Sequence, residues 1–298
     1  MAARHHPTSQ WKGYLLIVTA AAMWGTNGVA AKFLFNQGIT PSMLVQIRSA
    51  LSFTILFGIL AFFKRDLIRF SKKDLPFLAS FAIAGMGMVN LMYFYTVSKT
   101  NVATAILLQY TGIVFIAIFA VSYQGERLTW VKVASLASAF AGCFLMVGGY
   151  DLNQLRLNAV GLACGLTAAL FYAFYILYGE WGLKRFNPWT MVVYAFGFTA
   201  LFWALFITPW QVPARSFSLT WWPHLLYVVI VGTVVPFGLF FQGLKYIRAT
   251  RASITSTLEP IVAGVVSYFL LGETLFPVQI IGGFSVIAAI ILLQIEKE

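Results

Sequence analysis

Charged residues and cysteines are both scarce in this chain of 298 residues. Only 10% of the residues are Asp, Glu, Lys or Arg, whereas 60% are hydrophobic; soluble domains carry about 25% charged residues. This composition excludes a soluble globular domain and predicts an integral membrane protein. The two cysteines, Cys143 and Cys164, both fall inside apolar runs, so we expect them to form neither a disulfide framework nor a metal site.

Motifs that would mark an ATPase or a hydrolytic enzyme are also missing. The sequence contains no Walker-type phosphate loop, no HExxH and no paired-cysteine motif, and its soluble segments are too short for an ATPase domain. An intramembrane enzyme would need paired ionisable groups at membrane depth, but Glu259 and Arg48 are the only charges deep inside apolar runs. We therefore predict no enzyme and no cofactor, and any transport must be downhill, proton-coupled or exchange.

Ten continuous apolar runs of membrane-spanning length occupy the chain. They lie near 13–35, 41–63, 75–97, 101–122, 129–149, 157–179, 188–208, 221–245, 250–271 and 276–295. A helix that crosses a hydrocarbon core of about 30 Å needs about 20 apolar residues, and continuous rather than alternating runs argue against strands. The sequence predicts an all-α integral membrane protein with ten transmembrane helices, called predicted segments 1 to 10 below.

Basic residues outnumber acidic ones by 20 to 9 and give a net charge of +11. Because they lie in short loops between apolar runs, we expect them to orient the protein and not to bind nucleic acid. Fifteen fall on the side of the N-terminus: Arg4, Lys12, Lys64, Arg65, Arg69, Lys72, Lys73, Arg127, Lys132, Lys184, Arg185, Lys245, Arg248, Arg251 and Lys297. Four fall on the opposite side: Lys32, Lys99, Arg156 and Arg215. Positive charge marks the cytoplasmic side, so both termini are predicted to be cytoplasmic.

The chain contains an internal repeat of half its length. Residues 96–128 overlay on residues 243–275 without a gap at an offset of 147 residues, which aligns Gly125-Glu126 with Gly272-Glu273. Ten segments divide into two sets of five, and an odd number per set forces the two sets to insert in opposite directions. We therefore predict two inverted five-helix repeats, residues 1–150 and residues 151–298, that form one transport unit.

The segment count, the repeat and two stretches of sequence carry a family resemblance. AAAMWGTNGVAAK in predicted segment 1 and GLKYIRATRASITSTLEP followed by LGET in predicted segments 8 and 9 resemble the drug/metabolite transporter superfamily, and within it the EamA-type exporters. The resemblance implies a central cavity formed mainly by predicted segments 1, 3, 4, 6, 8 and 9. It implies small metabolites as substrates, with aromatic and neutral amino-acid exporters as the nearest branch. The family's usual first-half proline is Ile113 here, at the position aligned with Pro260.

A glutamate followed by a proline lies near the middle of predicted segment 9. Glu259 would sit near the bilayer midplane, where a carboxylate is costly and is a candidate for function. Pro260 has no backbone N–H to donate, and it biases Glu259 away from ideal helical geometry. Two roles stay open: Glu259 binds a substrate amine or a coupling proton, or its carboxylate satisfies backbone groups that the proline frees.

Arg48 is the second charge at depth. It lies about seven residues into predicted segment 2, roughly 10 Å below the outer surface at about 1.5 Å per residue. Its guanidinium could hold a carboxylate bidentately, or it could snorkel outward or bond to helix ends. Both interpretations stay open from the sequence.

Aromatic and amide side chains near the middle of several predicted segments complete the candidate site. Amides avoid lipid, whereas each aromatic residue could equally face lipid. We predict substrate contacts from Trp24, Asn27, Arg48, Asn90, Tyr93, Phe94, Gln109, Tyr172, Tyr175 and Gln242. A cavity lined in this way would suit a flat apolar metabolite with polar ends.

These features predict a secondary transporter that exports amino acids or related small metabolites across the cytoplasmic membrane by alternating access. Uptake, or exchange of nucleotide-linked or carboxylate metabolites, is the alternative, although such anions would want several cavity cations and only Arg48 qualifies. A pore would need a polar face along whole helices, whereas the polar residues cluster near mid-segment. The predicted partners are a small-molecule substrate and the lipid bilayer, for a monomer or a homodimer with no metal.

Overall fold

The computed structural model describes residues 7–151, 158–206, 221–271 and 274–295, and the regular structure in these ranges is helical. The first part of the chain forms α1 (Pro7–Asn36), α2 (Pro41–Phe63), α3 (Leu75–Ser80), α4 (Met88–Lys99), α5 (Val102–Tyr110), α6 (Gly112–Tyr123) and α7 (Trp130–Met146). The second part forms α8 (Ala159–Gly182), α9 (Pro188–Ala204), α10 (Trp222–Val229), α11 (Val235–Leu244), α12 (Ala249–Ser256), α13 (Glu259–Leu271) and α14 (Pro277–Ile295). Two π-helical stretches, Phe81–Gly87 and Ile230–Val234, join α3 to α4 and α10 to α11.

Seven helical stretches in the described ranges are long and apolar enough to cross a membrane. They are Gln10–Asn36, Pro41–Phe63, Lys72–Lys99, Val102–Tyr123, Ala159–Gly182, Trp222–Leu244 and Pro277–Ile295. The molecule is therefore an all-helical, multi-pass membrane protein. The count of ten stays a prediction, because α7 and α9 are shorter apolar helices and the α12–α13 pair is interrupted at Thr257 and Leu258.

Local sequence signals start α2 and α9 in the same way. The side chains of Thr40 and Asn187 accept hydrogen bonds from backbone N–H groups of the first turn, which satisfies donors that have no intrahelical partner. Pro41 and Pro188 follow them at the first helical position, where a missing N–H costs nothing. The two starts are 147 residues apart.

Other helix starts recur at the same offset. α5, α6 and α7, shifted by 147 residues, would begin at residues 249, 259 and 277, and α12, α13 and α14 begin at these residues. The break between α5 and α6 forms without a proline: Thr111 N donates to Leu108 O at 3.2 Å, and its hydroxyl donates to the same oxygen at 2.6 Å. The residue that replaces the family's proline, Ile113, is therefore compatible with an interruption there.

α7 and α14 pack against each other with their backbones in contact. A Cβ on Gly142 would lie 2.6 Å from Gly282 O, and one on Gly282 would lie 2.7 Å from Gly142 O. Nearby, Ser138 Oγ donates to Ser285 O at 3.1 Å, again between residues 147 positions apart. Glycine at both contact points permits this approach, because any side chain would separate the helices.

A buried group of charges lies where the start of α7 meets the start of α12. Lys132 Nζ is 2.8 Å from Glu126 Oε1, and the two side chains are only 8% and 3% exposed. Thr250 donates to Glu126 Oε2 at 3.0 Å, and Lys132 Nζ donates to Arg127 O at 3.1 Å. We call Glu126, Lys132 and Thr250 the Glu126 cluster. The interpretation of Lys132 as a charge in a loop is wrong, because it belongs to the first turn of α7 and pairs with a buried glutamate.

Arg251 corrects the loop interpretation in the same way. It lies in α12 and is fully buried, and its Nη1 donates to the Tyr14 hydroxyl of α1 at 3.2 Å. Some predicted features fall outside the described residues: Arg4, Arg156, Arg215, Lys297, the side chain of Lys32 and the Gly272-Glu273 pair. The predicted placement of both termini and the predicted inversion of the repeat therefore remain predictions.

Candidate functional site

A cavity lies among helices from both parts of the chain. Its lining consists of Trp24, Asn27, Arg48, Val89, Asn90, Tyr93, Phe94, Gln109, Tyr110, Tyr172, Tyr175, Gly232, Phe237 and Glu259. These residues come from α1, α2, α4, α5, α8, the second π-helical stretch, α11 and α13. Ligand sites in proteins commonly combine apolar walls with a few polar groups, and the lining of this cavity has that character.

Most of the residues that the sequence singled out lie together in this cavity. Nine of the ten predicted substrate contacts line it: Trp24, Asn27, Arg48, Asn90, Tyr93, Phe94, Gln109, Tyr172 and Tyr175. Glu259 lines it as well. Their role in substrate binding stays a prediction, but the chain brings them to one place.

Gln242 and Pro260 are not part of the lining. Gln242 follows the lining residue Phe237 by five positions on α11, which at 3.6 residues per turn rotates it by about 140° from that face. Pro260 is buried in the first turn of α13, where it acts on the backbone and not on the cavity. Gln242 therefore lies outside the lining in this arrangement, and its contact with a substrate stays a prediction.

Arg48 is a buried cation that has no anion within ion-pair distance among the described residues. Its residue exposure is 2%, and in the described part of the chain its side chain forms no ion pair and no hydrogen bond. The guanidinium carbon lies 5.1 Å from the ring centroid of Phe94 and 5.9 Å from that of Phe237, within the range of cation–π attraction. Of the two interpretations left open by the sequence, snorkelling to the surface is wrong, because the side chain is enclosed.

Aromatic rings form the walls around this charge. Trp24 lies edge-on to Phe237 at 5.1 Å between centroids, and Tyr175 lies edge-on to the same ring at 6.0 Å. Tyr172 meets Tyr175 at 6.1 Å. The rings hold one another in place, so the cavity has a wall assembled from α1, α8 and α11.

Buried polar atoms without a hydrogen-bond partner in the described structure occur in the lining, and Asn27 Oδ1 and the Tyr175 hydroxyl are among them. Asn27 reaches this position because residue 232 is glycine: a Cβ there would lie 2.0 Å from Asn27 Oδ1. Buried polar atoms are nearly always satisfied in proteins, so unsatisfied atoms around a cavity are available to a ligand.

Glu259 contacts the lining residue Tyr110 at the break between α12 and α13. The Tyr110 hydroxyl oxygen lies 2.9 Å from Glu259 Oε2 and 2.5 Å from Ser256 O. A carbonyl oxygen in a helix normally accepts from the N–H four residues later, and for Ser256 that residue is Pro260, which has no N–H. Tyr110 therefore supplies the donor that the proline removes.

Four lining residues were not predicted from the sequence: Val89, Tyr110, Gly232 and Phe237. Tyr110 follows the predicted residue Gln109, and Val89 precedes Asn90, so both are neighbours of predicted contacts. Phe237 is aligned with Asn90 at the offset of 147 residues, and this alignment could have identified it. Within the described residues no three His, Cys, Asp or Glu side chains come together as metal ligands.

Comparison with known proteins gives three kinds of match: a family model, curated relatives and a solved structure. The model of the EamA-like transporter family matches residues 11–148 and again residues 159–295. A curated relative, the uncharacterized inner membrane transporter YicL of Salmonella typhimurium, is 28% identical and covers 96% of each chain. The threonine/homoserine exporter RhtA of Escherichia coli K12 is 29% identical and covers 97% of this chain and 94% of its own.

An uncharacterized transporter of Archaeoglobus fulgidus is also 29% identical, over 94% of this chain and 95% of its own. One solved structure superposes with a TM-score of 0.79 over 94% of this chain and 96% of that chain. Its sequence identity is 16%, so this likeness concerns the fold.

Proposed function

The chain belongs to the EamA-like transporter family and is a membrane transporter, and from that premise we propose that it exports amino acids or related small metabolites across the cytoplasmic membrane. Two inverted five-helix halves alternate access to the cavity between them. No ATP-binding module is recognisable in the sequence, so export is downhill, proton-coupled or by exchange.

The observation that carries this proposal is the unpaired Arg48 inside an aromatic cavity. A guanidinium offers a planar fork of donors that matches a carboxylate. Because no protein carboxylate occupies that fork in the described structure, the substrate supplies it. The substrate thus carries a carboxylate and a small body that fits between Trp24, Tyr175 and Phe237.

The relatives support amino acids among carboxylate-bearing metabolites. One curated relative is a threonine/homoserine exporter, and both compounds carry a carboxylate, an ammonium group and a hydroxyl. The free Oδ1 of Asn27 and the free hydroxyl of Tyr175 provide hydrogen-bonding positions for such groups.

Alternating access is supported by how the cavity is built. Its lining up to Tyr110 comes from the first half, and its lining from Tyr172 onward comes from the second half. The repeated helix starts at an offset of 147 residues and the two family matches, residues 11–148 and 159–295, fit a pair of repeats around a central site.

Exchange of carboxylate metabolites without an amine is the second candidate. Arg48 would serve such a substrate equally well. Nucleotide-linked substrates fit less well, because they carry several negative charges and Arg48 is the one cation in the described lining.

Counterflow in proteoliposomes tests the proposal. Liposomes that contain the wild-type protein and are loaded with unlabelled threonine, homoserine or another neutral amino acid should take up the labelled compound. The same liposomes without the unlabelled amino acid inside should not accumulate it. Arg48→Met should raise the half-saturation concentration by about 10- to 100-fold, because a hydrogen bond to a charged group contributes about 1.5–3 kcal/mol.

Arg69→Met is the matched control, because it makes the same substitution at a side chain that is 78% exposed. This variant should leave counterflow unchanged. If no amino acid moves while a carboxylate without an amine does, the second candidate replaces the first. Equal half-saturation concentrations for wild type and Arg48→Met would refute the role of Arg48.

A further inference from the structure

The hydroxyl of Tyr110 has two acceptors and one hydrogen. Ser256 O, at 2.5 Å, is a carbonyl oxygen and can only accept. Glu259 Oε2, at 2.9 Å, can accept when the carboxyl group is ionised and can donate when it is protonated. Both distances are in the range of O–H···O hydrogen bonds, so two hydrogens are needed and the phenol supplies one of them.

The shorter contact decides where the Tyr110 hydrogen lies. At 2.5 Å from Ser256 O the separation is at the short end of the O–H···O range. Two oxygens at this distance would repel each other without a hydrogen between them. This distance places the Tyr110 hydrogen toward Ser256 O, and a protonated Glu259 would supply the second hydrogen by donating to the Tyr110 oxygen.

We propose that Glu259 is a proton-binding site, and that Tyr110 links its protonation to the break between α12 and α13. In the protonated state the chain of donors runs from Glu259 to Tyr110 to Ser256 O. On deprotonation the carboxyl proton passes to water, and the Tyr110 hydroxyl keeps its hydrogen but donates it to the carboxylate in place of Ser256 O. Ser256 O then loses its donor, because Pro260 has no N–H to replace it.

The surroundings of Glu259 favour this assignment. The residue is buried, with 7% exposure, and in the described part of the chain it has no cation within ion-pair distance. A buried carboxylate without a cation is costly, whereas a neutral acid with one hydrogen bond is not.

The titratable and polar side chains around Glu259 come from several neighbouring helices. Tyr110 of α5 bonds to Glu259, and Tyr93 of α4, Tyr172 of α8 and Cys143 of α7 interact with it electrostatically. Arg48 of α2 lines the same cavity, as do the non-titratable Trp24 and Asn27 of α1. None of the described neighbours is an acid that would compete for the proton.

The consequence for transport rests on the proposed function. A proton at Glu259 stabilises the α12–α13 break as it stands here, and its release frees that break to rearrange. Proton release and a change in the helix pair that borders the cavity would then be one event, which is what proton-coupled export requires.

Infrared difference spectra of the full-length protein in lipid nanodiscs, recorded between acidic and basic buffer without substrate, test the site. The wild type should show a protonated-carboxyl band that is lost in basic buffer. Glu259→Gln should lack this band. Tyr110→Phe should keep a band but move it to higher frequency, because the acid no longer donates to the phenol oxygen. Tyr268→Phe, a lipid-exposed change on α13, should leave the band unchanged.

A spectrum with no band that depends on Glu259 would overturn the proton site, and a band that Tyr110→Phe does not move would overturn the link through Tyr110. If Glu259→Gln does not fold, wild-type protein labelled with carbon-13 glutamate identifies the band by its isotope shift. The spectra need no substrate, so failed counterflow with the band present would refute the proposed function and leave the proton site standing.

Discussion

The Glu126 cluster and the cavity are both buried sites of charge, but only the first is complete. Lys132 lies 2.8 Å from Glu126, and Thr250 donates to the other carboxylate oxygen. In the cavity Arg48 has aromatic rings beside it and no anion within reach in the described structure, and Asn27 Oδ1 and the Tyr175 hydroxyl are unsatisfied. Burial of charge alone therefore does not distinguish the two sites, whereas the lack of an ion-pair partner for Arg48 in the described structure does.

The largest effect on stability is expected when the complete site is broken. Lys132→Ala leaves Glu126 buried without a cation and should lower the free energy of unfolding by about 3–5 kcal/mol, measured by thermal unfolding in detergent. The double variant Lys132→Met with Glu126→Gln should lose much less, because both charges are gone.

Arg48→Met tests the stability of the cavity in the same way that Lys132→Ala tests that of the Glu126 cluster. It removes a charge that has no partner, so the unfolding temperature should not fall. A loss of stability in Arg48→Met as large as in Lys132→Ala would show that the two sites do not differ in the way described.

A smaller effect is expected where the cavity depends on a missing side chain. Gly232→Ala places a Cβ 2.0 Å from Asn27 Oδ1, so the amide must move. We expect a loss of about 1–3 kcal/mol in the free energy of unfolding and a higher half-saturation concentration for counterflow. Gly58→Ala is the control, since a Cβ there meets nothing within 4 Å; unchanged counterflow in Gly232→Ala would contradict the placement of Asn27 at the substrate.

The smallest effect is expected at a hydroxyl that has no hydrogen-bond partner in the described structure. Tyr175→Phe should leave the free energy of unfolding within about 0.5 kcal/mol of wild type, because the substitution breaks no hydrogen bond of the described structure and removes only one oxygen atom. Tyr110→Phe removes a donor from Ser256 O and should cost about 1–3 kcal/mol. The prediction fails if the two Tyr→Phe variants unfold at the same temperature.

The sequence alone predicted much of the cavity lining, because polar residues within apolar runs are costly to expose to lipid and therefore face the interior of the bundle. Asn27, Asn90 and Gln109 avoid lipid, so residue type alone favours the interior of the bundle for them. Gln242 lies outside the lining because its position depends on the rotation of α11, which residue type does not reveal.

Other features needed the packed structure. Tyr110 resembles any other aromatic residue until its hydroxyl is seen beside Ser256 O, and Gly232 matters only because Asn27 of a distant helix packs on it. Lys132 and Arg251 were assigned to loops by the spacing of apolar runs, whereas a buried glutamate and the hydroxyl of Tyr14 bind them inside the bundle. Tertiary contacts decided these cases.

A structure of the purified protein with threonine or homoserine bound would test the central claim most directly. The account predicts ligand in the cavity with its carboxylate within hydrogen-bond distance of the Arg48 guanidinium and its body between Trp24 and Tyr175. A ligand bound elsewhere with the cavity empty, or one in the cavity whose carboxylate points away from Arg48, would contradict it.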